Sequence, residues 1–280
     1  MEPAQLTDRA VLALSGPQAR EFLQGLVTND LGRLSPGKAL YAALLSPQGK
    51  ILFDFLLVEG DGALLIDCER QSRERLAGKL RMYRLRARIE IEPRDQLGVF
   101  VALAGHPQNR PAPYTERAVT FDDPRHRRLP RRSIGALAEM PANLPGPVAY
   151  HALRRELGVP EGADFGSEKI FALDAGLEEL DGVSFAKGCY VGQELTSRMK
   201  HRATARKRIL TVRAQAPLPA PGTPLDAGGQ EIGEILSVDG NNGFALVRMD
   251  RLAESTGQVT AGEISVALIK PAWLDQPHAV

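Results

Sequence analysis

Short apolar runs separated by turn residues recur along this chain, and they limit it to a fold that is rich in antiparallel strands. Residues 41–45 and 51–58 are two such runs, and they flank the sequence Ser-Pro-Gln-Gly at 46–49. Proline and glycine in so short a connection are typical of a turn, so this region predicts a β-hairpin. Residues 63–68 and 99–104 are further apolar runs of strand length.

Helical patterns lie between these runs. Over 17–27 apolar residues recur at helical spacing, after a serine and beside a proline that suit a helix start. Residues 70–82 predict a polar-faced helix, and 150–157 predict a short helix followed by glycine and proline. Residues 107–147 are rich in proline and predict a loop-rich region. This order of elements favours a mixed α+β architecture.

The C-terminal part of the chain predicts a small antiparallel β-barrel. Short strands separated by turn residues are expected at 210–214, 231–238, 243–249 and 263–268. Closing such a sheet removes its exposed edges. We therefore expect two domains, residues 1–206 and residues 207–280.

The composition excludes several classes of protein. A chain of 280 residues has ample length for a core, and 35 basic against 34 acidic residues argue against a general nucleic-acid coat. No apolar run approaches the roughly 18 residues of a membrane span. Cys68 and Cys189 do not form a secreted disulfide framework, and no metal-ligand spacing is present, so no metal site is predicted. We expect a cytoplasmic protein, or a mitochondrial matrix protein if a transit peptide has been removed.

Residues 187–198 have the composition of a reactive thiol site. Cys189 lies between Gly188 and Gly192, two residues after Lys187. A nearby cation or helix start lowers the pKa of a cysteine from about 8.5 and so favours the thiolate, which is the nucleophile and the metal ligand. Lys187 would supply the cation, and an amphipathic run after Gly192 would supply the helix. The segment predicts an exposed glycine loop that leads into a helix.

A free cysteine is also often a small buried apolar residue, and this alternative applies differently to the two cysteines. Cys68 follows the apolar run 64–66, which favours the core. Around Cys189 the glycines and the lysine favour a loop, because a flexible polar segment packs poorly in a core. We therefore expect Cys189, and not Cys68, to carry chemistry.

The residues after Cys189 allow two interpretations each. Glu194 would accept a hydrogen bond from a ligand or would complement the dipole of the helix. The run of cations that follows suits an anionic ligand tail, although a solvated helix face is the commoner meaning of such a run. The cations are Arg198, Lys200, His201, Arg202, Arg206, Lys207 and Arg208. The basic stretch 125–132 has the same ambiguity without a nearby thiol.

Residues 187–194, Lys-Gly-Cys-Tyr-Val-Gly-Gln-Glu, resemble the signature of the YgfZ-like folate-binding proteins of iron–sulfur cluster assembly, which are relatives of the glycine-cleavage T-protein. Residues 22–30, 47–54 and 182–185 also resemble segments of that family. The resemblance covers most of the chain and is weakest over 107–147.

The resemblance implies an α+β, T-protein-like (GcvT) fold with two intertwined N-terminal parts, a central folate-binding channel and a C-terminal barrel. It implies that tetrahydrofolate is bound and that the protein serves maturation or repair of iron–sulfur proteins, chiefly those with [4Fe–4S] clusters. The partners would be assembly proteins or client enzymes. The signature positions carried over to this chain, with Cys189 as the functional thiol, are Lys187, Gly188, Cys189, Tyr190, Gly192, Gln193 and Glu194.

The same resemblance places Asn29 and Asp30 towards the channel. A pterin needs an apolar slot with a carboxylate or amide, which Tyr190 with Glu194 or Asp30 would provide. A folate glutamate tail needs cations, which Arg198 and the basic residues after it would provide.

Two other functions remain open. One is an aminomethyltransferase-like one-carbon transferase, although the chain is shorter than the T-protein and its signature has a cysteine that the T-protein does not need. The other is a basic module that binds RNA, which the sequence disfavours because no aromatic residues are interleaved with the cations.

Overall fold

The computed structural model describes residues 3–102, 118–141, 143–202 and 206–275 of the chain. The chain forms two compact units, each assembled from three stretches of sequence. The first unit comprises residues 1–45, 52–153 and 181–191, and the second comprises residues 46–51, 154–180 and 192–280. The predicted domain division at residue 206 stays a prediction.

Two antiparallel sheets form the first unit. A five-stranded sheet has the order β3-β4-β5-β2-β6, and a four-stranded sheet has the order β1-β7-β9-β8. The strands are β1 (Pro3–Gln5), β2 (Arg9–Ser15), β3 (Leu40–Leu45), β4 (Ile51–Gly60), β5 (Ala63–Glu69), β6 (Glu90–Pro93), β7 (Leu97–Ala102), β8 (Val119–Phe121) and β9 (Arg132–Ala136). The predicted hairpin is confirmed as β3 and β4, which are neighbours in the larger sheet.

Apolar side chains of the five-stranded sheet and its helices form one core. Leu12, Phe55 and Ile66 are fully buried from the strands, and Leu23 and Leu76 join them from two helices. These helices are α1 (Ala19–Gln24) and α2 (Arg73–Arg84). Helix α1 is shorter than the predicted 17–27, because Gly25 follows it and acts as its C-terminal cap.

The expected loop-rich region at 107–147 also contains regular structure. Strands β8 and β9 lie within it and pair antiparallel, with Thr120 opposite Ser133. Proline and arginine flank these short strands and hide their pattern in the sequence. Residues 107–117 and 142 of the same prediction lie outside the described residues.

A closed six-stranded barrel dominates the second unit, in the order β10-β13-β12-β11-β14-β15. Its strands are β10 (Lys207–Ala214), β11 (Pro224–Ala227), β12 (Gln230–Asp239), β13 (Asn242–Arg248), β14 (Val259–Ala261) and β15 (Ile264–Ile269). The predicted barrel is confirmed, and its four predicted strands correspond to β10, β12, β13 and β15. The structure adds the short strands β11 and β14. Pairing of β10 with β15 closes the sheet.

The remaining helices are α3 (Val148–Glu156), which runs from the first unit into the second, and α4 (Gly162–Phe165), α5 (Gln193–His201) and α6 (Met249–Glu254) in the second. None of the described helices combines the length and apolarity that a membrane span needs.

A buried network of charges joins the sheets of the first unit. The Asp67 carboxylate accepts from Arg9 Nε at 2.7 Å and from Arg132 Nη1 at 2.6 Å. Asp123 accepts from Arg125 Nη2 at 2.7 Å and from Arg132 Nε at 3.1 Å. All five side chains are buried. Within the basic stretch 125–132, Arg125 and Arg132 therefore have a structural role and do not belong to a surface patch.

Asp123 holds this network together from its centre. Burial alone raises the pKa of its carboxyl group, but the charges of Arg125 and Arg132 lower that pKa below its ordinary value. The carboxylate thus stays ionised between two guanidinium groups.

Asp123→Asn should lower the free energy of unfolding by about 3–5 kcal/mol, because it leaves buried guanidinium groups without a counter-charge. Chemical denaturation measures this change. Asp122→Asn is the matched control, since the neighbouring Asp122 is 86% exposed and pairs with Arg131 at the surface; we expect a change of under about 1 kcal/mol there. Equal effects of the two substitutions would contradict the assignment.

Candidate functional site

The Lys187 side chain fixes the signature segment to the end of α1. Its ammonium group donates to three backbone carbonyls: Gln24 O at 2.7 Å, Val27 O at 2.6 Å and Asn29 O at 2.9 Å. Helix α1 ends at Gln24, and the last carbonyls of a helix lack partners within it. The lysine supplies donors at this point and is itself 7% exposed.

Three N–H groups meet three acceptors, so the Lys187 ammonium has no proton left for a hydrogen bond to the thiol. Burial lowers the pKa of Lys187 to about 8, and the nearby Asp30 carboxylate opposes that shift. The ammonium also lies 5.1 Å from the centre of the Tyr190 ring, a favourable cation–π distance. Lys187 therefore positions the loop, and its predicted effect as a cation on Cys189 stays a prediction.

Further hydrogen bonds fasten residues 181–184 to the segment after α1. Thr28 Oγ1 donates to Gly182 O at 2.6 Å, and Ser184 N donates to Thr28 O at 3.0 Å. Asn29 is fully buried, and its Nδ2 donates to Asp181 O at 2.7 Å. Sequence reasoning missed Asp181, whose φ of 53° lies in the left-handed region; the Asp-Gly pair at 181–182 is the turn signal that marks it.

Asn29 has little hydrogen-bonding capacity left for a ligand. Its Nδ2 also donates to Tyr41 O at 2.8 Å, while its Oδ1 accepts from Asp30 N at 2.8 Å and from Arg33 Nη1 at 3.3 Å. Arg33 in turn makes a two-pronged ion pair with Asp181, at 2.9 and 2.8 Å. The predicted role of Asn29 in cofactor binding stays a prediction, and its contacts give it a structural role.

Asp30 is different, because one of its carboxylate oxygens remains open. Its Oδ1 accepts from Gln24 Nε2 and from Gly32 N, both at 2.9 Å, while no hydrogen bond to Oδ2 is found among the described residues. The Gly32 bond is the main reason that the pKa of Asp30 lies below its ordinary value. The half-buried Asp30 is thus an oriented carboxylate that can accept an N–H from a ligand.

The two cysteines occupy opposite environments. Cys189 is exposed and Cys68 is buried. Burial raises the pKa of the Cys68 thiol to about 12, so Cys68 remains protonated and unreactive at neutral pH. Beside Cys189, a methyl group added at Gly188 would meet nothing within 4 Å, which leaves the backbone there open to approach. The placement of both cysteines agrees with the prediction, while the reactivity of Cys189 stays a prediction.

The native protein should therefore show one reactive thiol. We expect a maleimide to modify Cys189 rapidly in the folded chain and Cys68 only after denaturation. Mass spectrometry of the digested protein assigns the modified residue. Equal modification of both cysteines in the folded state, or a Cys189 that resists the reagent, would contradict the structure.

The second unit carries the remaining signature residues at the start of α5. Gly192 has a φ of 82° and precedes Gln193, the first residue of the helix; glycine adopts this left-handed conformation without strain. The predicted helix after Gly192 is thereby confirmed. Glu194 accepts from Arg198 at 2.7 Å across one helical turn, so these two predicted ligand-binding side chains pair with each other.

Several cations after Arg198 already have acidic partners in the second unit. Lys200 pairs with Glu178, and Arg208 lies 3.6 Å from Glu179. This pairing favours the solvated-surface interpretation for those positions. The predicted roles of Gly192, Gln193, Glu194 and Arg198 in ligand binding stay predictions.

Lys187→Met should lower the free energy of unfolding by about 2–4 kcal/mol, because it removes three charge-assisted hydrogen bonds and leaves carbonyls unpaired. Denaturant titration measures the loss. Lys200→Met is the matched control at a half-exposed ion pair, where we expect under about 1 kcal/mol. A Lys187 variant as stable as the wild type would show that the three carbonyls do not need the ammonium.

Comparison with known proteins finds relatives that are similar to this chain over most of its length. The mouse protein "Iron-sulfur cluster assembly factor IBA57, mitochondrial" is 33% identical, with 96% of this chain and 84% of the relative covered. Its human counterpart of the same description is 35% identical, with the same coverage of 96% and 84%. Residues 206–276 match the family described as "CAF17, C-terminal beta-barrel domain".

A solved structure supports the fold independently of close sequence similarity. The glycine cleavage system aminomethyltransferase T from Bartonella henselae matches with a TM-score of 0.73 and 16% sequence identity, over 98% of this chain and 86% of that one. The predicted T-protein-like α+β fold with a C-terminal barrel is thereby confirmed. At 16% identity the likeness concerns the fold and not the reaction.

Proposed function

The chain belongs to the family of iron–sulfur cluster assembly factors IBA57, and from that premise we propose that it binds tetrahydrofolate and uses Cys189 in the maturation or repair of iron–sulfur proteins, chiefly those with [4Fe–4S] clusters. The observation that carries the proposal is the exposed Cys189 thiol, two residues after the buried Lys187 anchor. A thiol on a fixed loop is presented to a partner in a constant orientation.

Cys189 acts on the cluster side of this function. Its thiolate serves as a ligand to a cluster, or as a nucleophile that takes the outer sulfur of a persulfide while the S–S bond breaks and the inner sulfur leaves as a thiolate. The cluster or the persulfide is cargo and not a resident group. Iron–sulfur clusters usually take four thiolates, and within the described residues no three His, Cys, Asp or Glu side chains gather into a metal site. The other ligands must come from a partner protein or from small thiols. The partners are accordingly assembly proteins or client enzymes.

Residues of the first unit fit a folate. The open Oδ2 of Asp30 is an acceptor for an N–H of the pterin, and the lowered pKa of Asp30 keeps that acceptor charged. The ring of the buried Tyr190 lies 5.1 Å from the Lys187 ammonium, and the Asp30 carboxylate acts on the pKa of the same lysine. The two groups proposed for the pterin are therefore both neighbours of Lys187. When bound, tetrahydrofolate supplies a carrier for one-carbon units.

The alternative of an aminomethyltransferase has less support. The matched T-protein has that activity in its name, but the resemblance at 16% identity carries only the fold. A sustained turnover of an aminomethyl donor with tetrahydrofolate would favour this alternative.

The relatives are mitochondrial by description, and the predicted cytoplasmic location of this chain stays a prediction.

Cys189→Ser should fold normally and bind tetrahydrofolate with unchanged affinity, yet fail to restore the activity of cluster enzymes in a strain that lacks the protein. The exposed thiol has no structural role in the fold, so the loss would be one of chemistry. Cys68→Ala, which removes the other thiol, is the control and should restore activity. Full rescue by Cys189→Ser would refute the role of this thiol.

Asp30→Asn should weaken tetrahydrofolate binding about tenfold, because a charge-assisted hydrogen bond becomes a neutral one. Isothermal titration calorimetry measures the dissociation constant. Asp95→Asn is the control, since Asp95 is an exposed acid of the same unit that pairs with Arg73. An unchanged dissociation constant for Asp30→Asn would remove Asp30 from the folate site.

A further inference from the structure

The C-terminal end of α2 exposes two large apolar side chains to solvent. Met82 is 69% exposed, and Leu85, which directly follows the helix as its C-terminal cap, is 87% exposed. They lie three positions apart, Met82 in the last turn of the helix and Leu85 directly after it. The opposite side of α2 is buried in the core through Leu76, Ala77 and Leu80, which fixes the outward direction of this end.

The same stretch is strongly basic. No acidic residue occurs from 75 to 89, although acidic and basic residues nearly cancel over the whole chain. The cations of this stretch are Arg75, Lys79, Arg81, Arg84, Arg86 and Arg88. Arg84, Arg86 and Arg88 are exposed, and no ion pair of theirs is found among the described residues. Together with Met82 and Leu85 these three arginines define the α2 tip patch.

The backbone at Leu85 adds a second observation. Leu85 has a φ of 44° and a ψ of −106°, a conformation that costs a non-glycine residue free energy. Glycine would relieve that strain, and a polar residue would suit solvent better. The chain has instead a leucine at the most exposed apolar position of this patch.

We propose that the α2 tip patch docks the protein on an anionic lipid surface. Met82 and Leu85 enter the boundary between headgroups and acyl chains, while Arg84, Arg86 and Arg88 pair with lipid phosphates. Basic residues around a small apolar tip are the requirement for binding at the surface of an anionic bilayer. This inference concerns a surface distinct from the residues of the proposed folate and thiol chemistry, and it does not rest on that function.

Other occupants fit this patch less well. Single-stranded nucleic acid is bound by stacking on exposed aromatic rings, whereas the apolar residues here are aliphatic and Tyr83 is half-buried with Lys79 5.5 Å from its ring centre. A typical protein interface buries about 800 Å² per partner around a packed apolar core. Two separate apolar side chains do not form such a core, but a fluid lipid surface needs no matching shape.

Vesicle cosedimentation with the full chain tests the proposal. We expect binding to phosphatidylcholine vesicles that contain about 30 mol% phosphatidylglycerol, and at least about tenfold weaker binding to phosphatidylcholine alone. Arg84→Glu with Arg86→Glu should abolish binding. Met82→Ser with Leu85→Ser should weaken it about tenfold. The control is Arg127→Glu with Arg128→Glu, which reverses two exposed arginines elsewhere and should bind as the wild type does.

Fluorescence of Leu85→Trp separates insertion from adsorption. The native Trp273 is buried, so we expect a shift to shorter wavelength on anionic vesicles to come from the new side chain. Equal binding to neutral and anionic vesicles, an unshifted emission of Leu85→Trp, or full binding by the serine variant would overturn the proposal. A wild-type chain that binds neither kind of vesicle would also overturn the proposal. This holds even if the same arginines bind polyuridylic acid.

Discussion

The candidate site depends on the bond between a buried ammonium group and the end of a short helix. Lys187 brings three N–H groups to carbonyls near the end of α1 that lie about 160 positions earlier in the chain. Burial of a cation is costly unless it is hydrogen-bonded, and unpaired carbonyls at a helix end are costly as well. The hydrogen bonds between the ammonium and the carbonyls remove the cost of burying both groups. They also fix residue 187 in place, so that Cys189, two residues later, is held at the surface.

Some polar side chains of the first unit make all their hydrogen bonds or ion pairs within the fold, and others keep a group open to a ligand. The carboxylate of Asp123 is surrounded by guanidinium groups and is fully buried, so it contributes stability and no chemistry. Asn29 likewise uses its side-chain amide within the fold. Asp30 and Cys189 are the exceptions among these residues, with an open carboxylate oxygen and an exposed thiol. A ligand or cluster can act on the groups that the fold itself does not use.

The sequence predicted the elements whose signals are local. The turn residues at 46–49 predicted a hairpin, and Gly192 predicted the start of α5. The contacts of Lys187 and the burial of Arg132 could not be predicted, because a charge pattern does not reveal a partner that is 65 or 160 positions away. Strands β8 and β9 were not predicted for a related reason, since Arg125 between them and Arg132 in β9 look solvent-exposed until their buried carboxylate partners are known. The binding of tetrahydrofolate was predicted from the family resemblance alone.

Hydrogen–deuterium exchange with and without tetrahydrofolate tests most directly whether the anchor and the proposed folate site form one platform. Residues 24–33 hold Asp30 and the three carbonyls, and residues 181–190 hold Lys187 and Cys189. Ligand binding at Asp30 should slow exchange in both segments together, because Lys187 joins them. Unchanged exchange in either segment at saturating tetrahydrofolate would contradict this account.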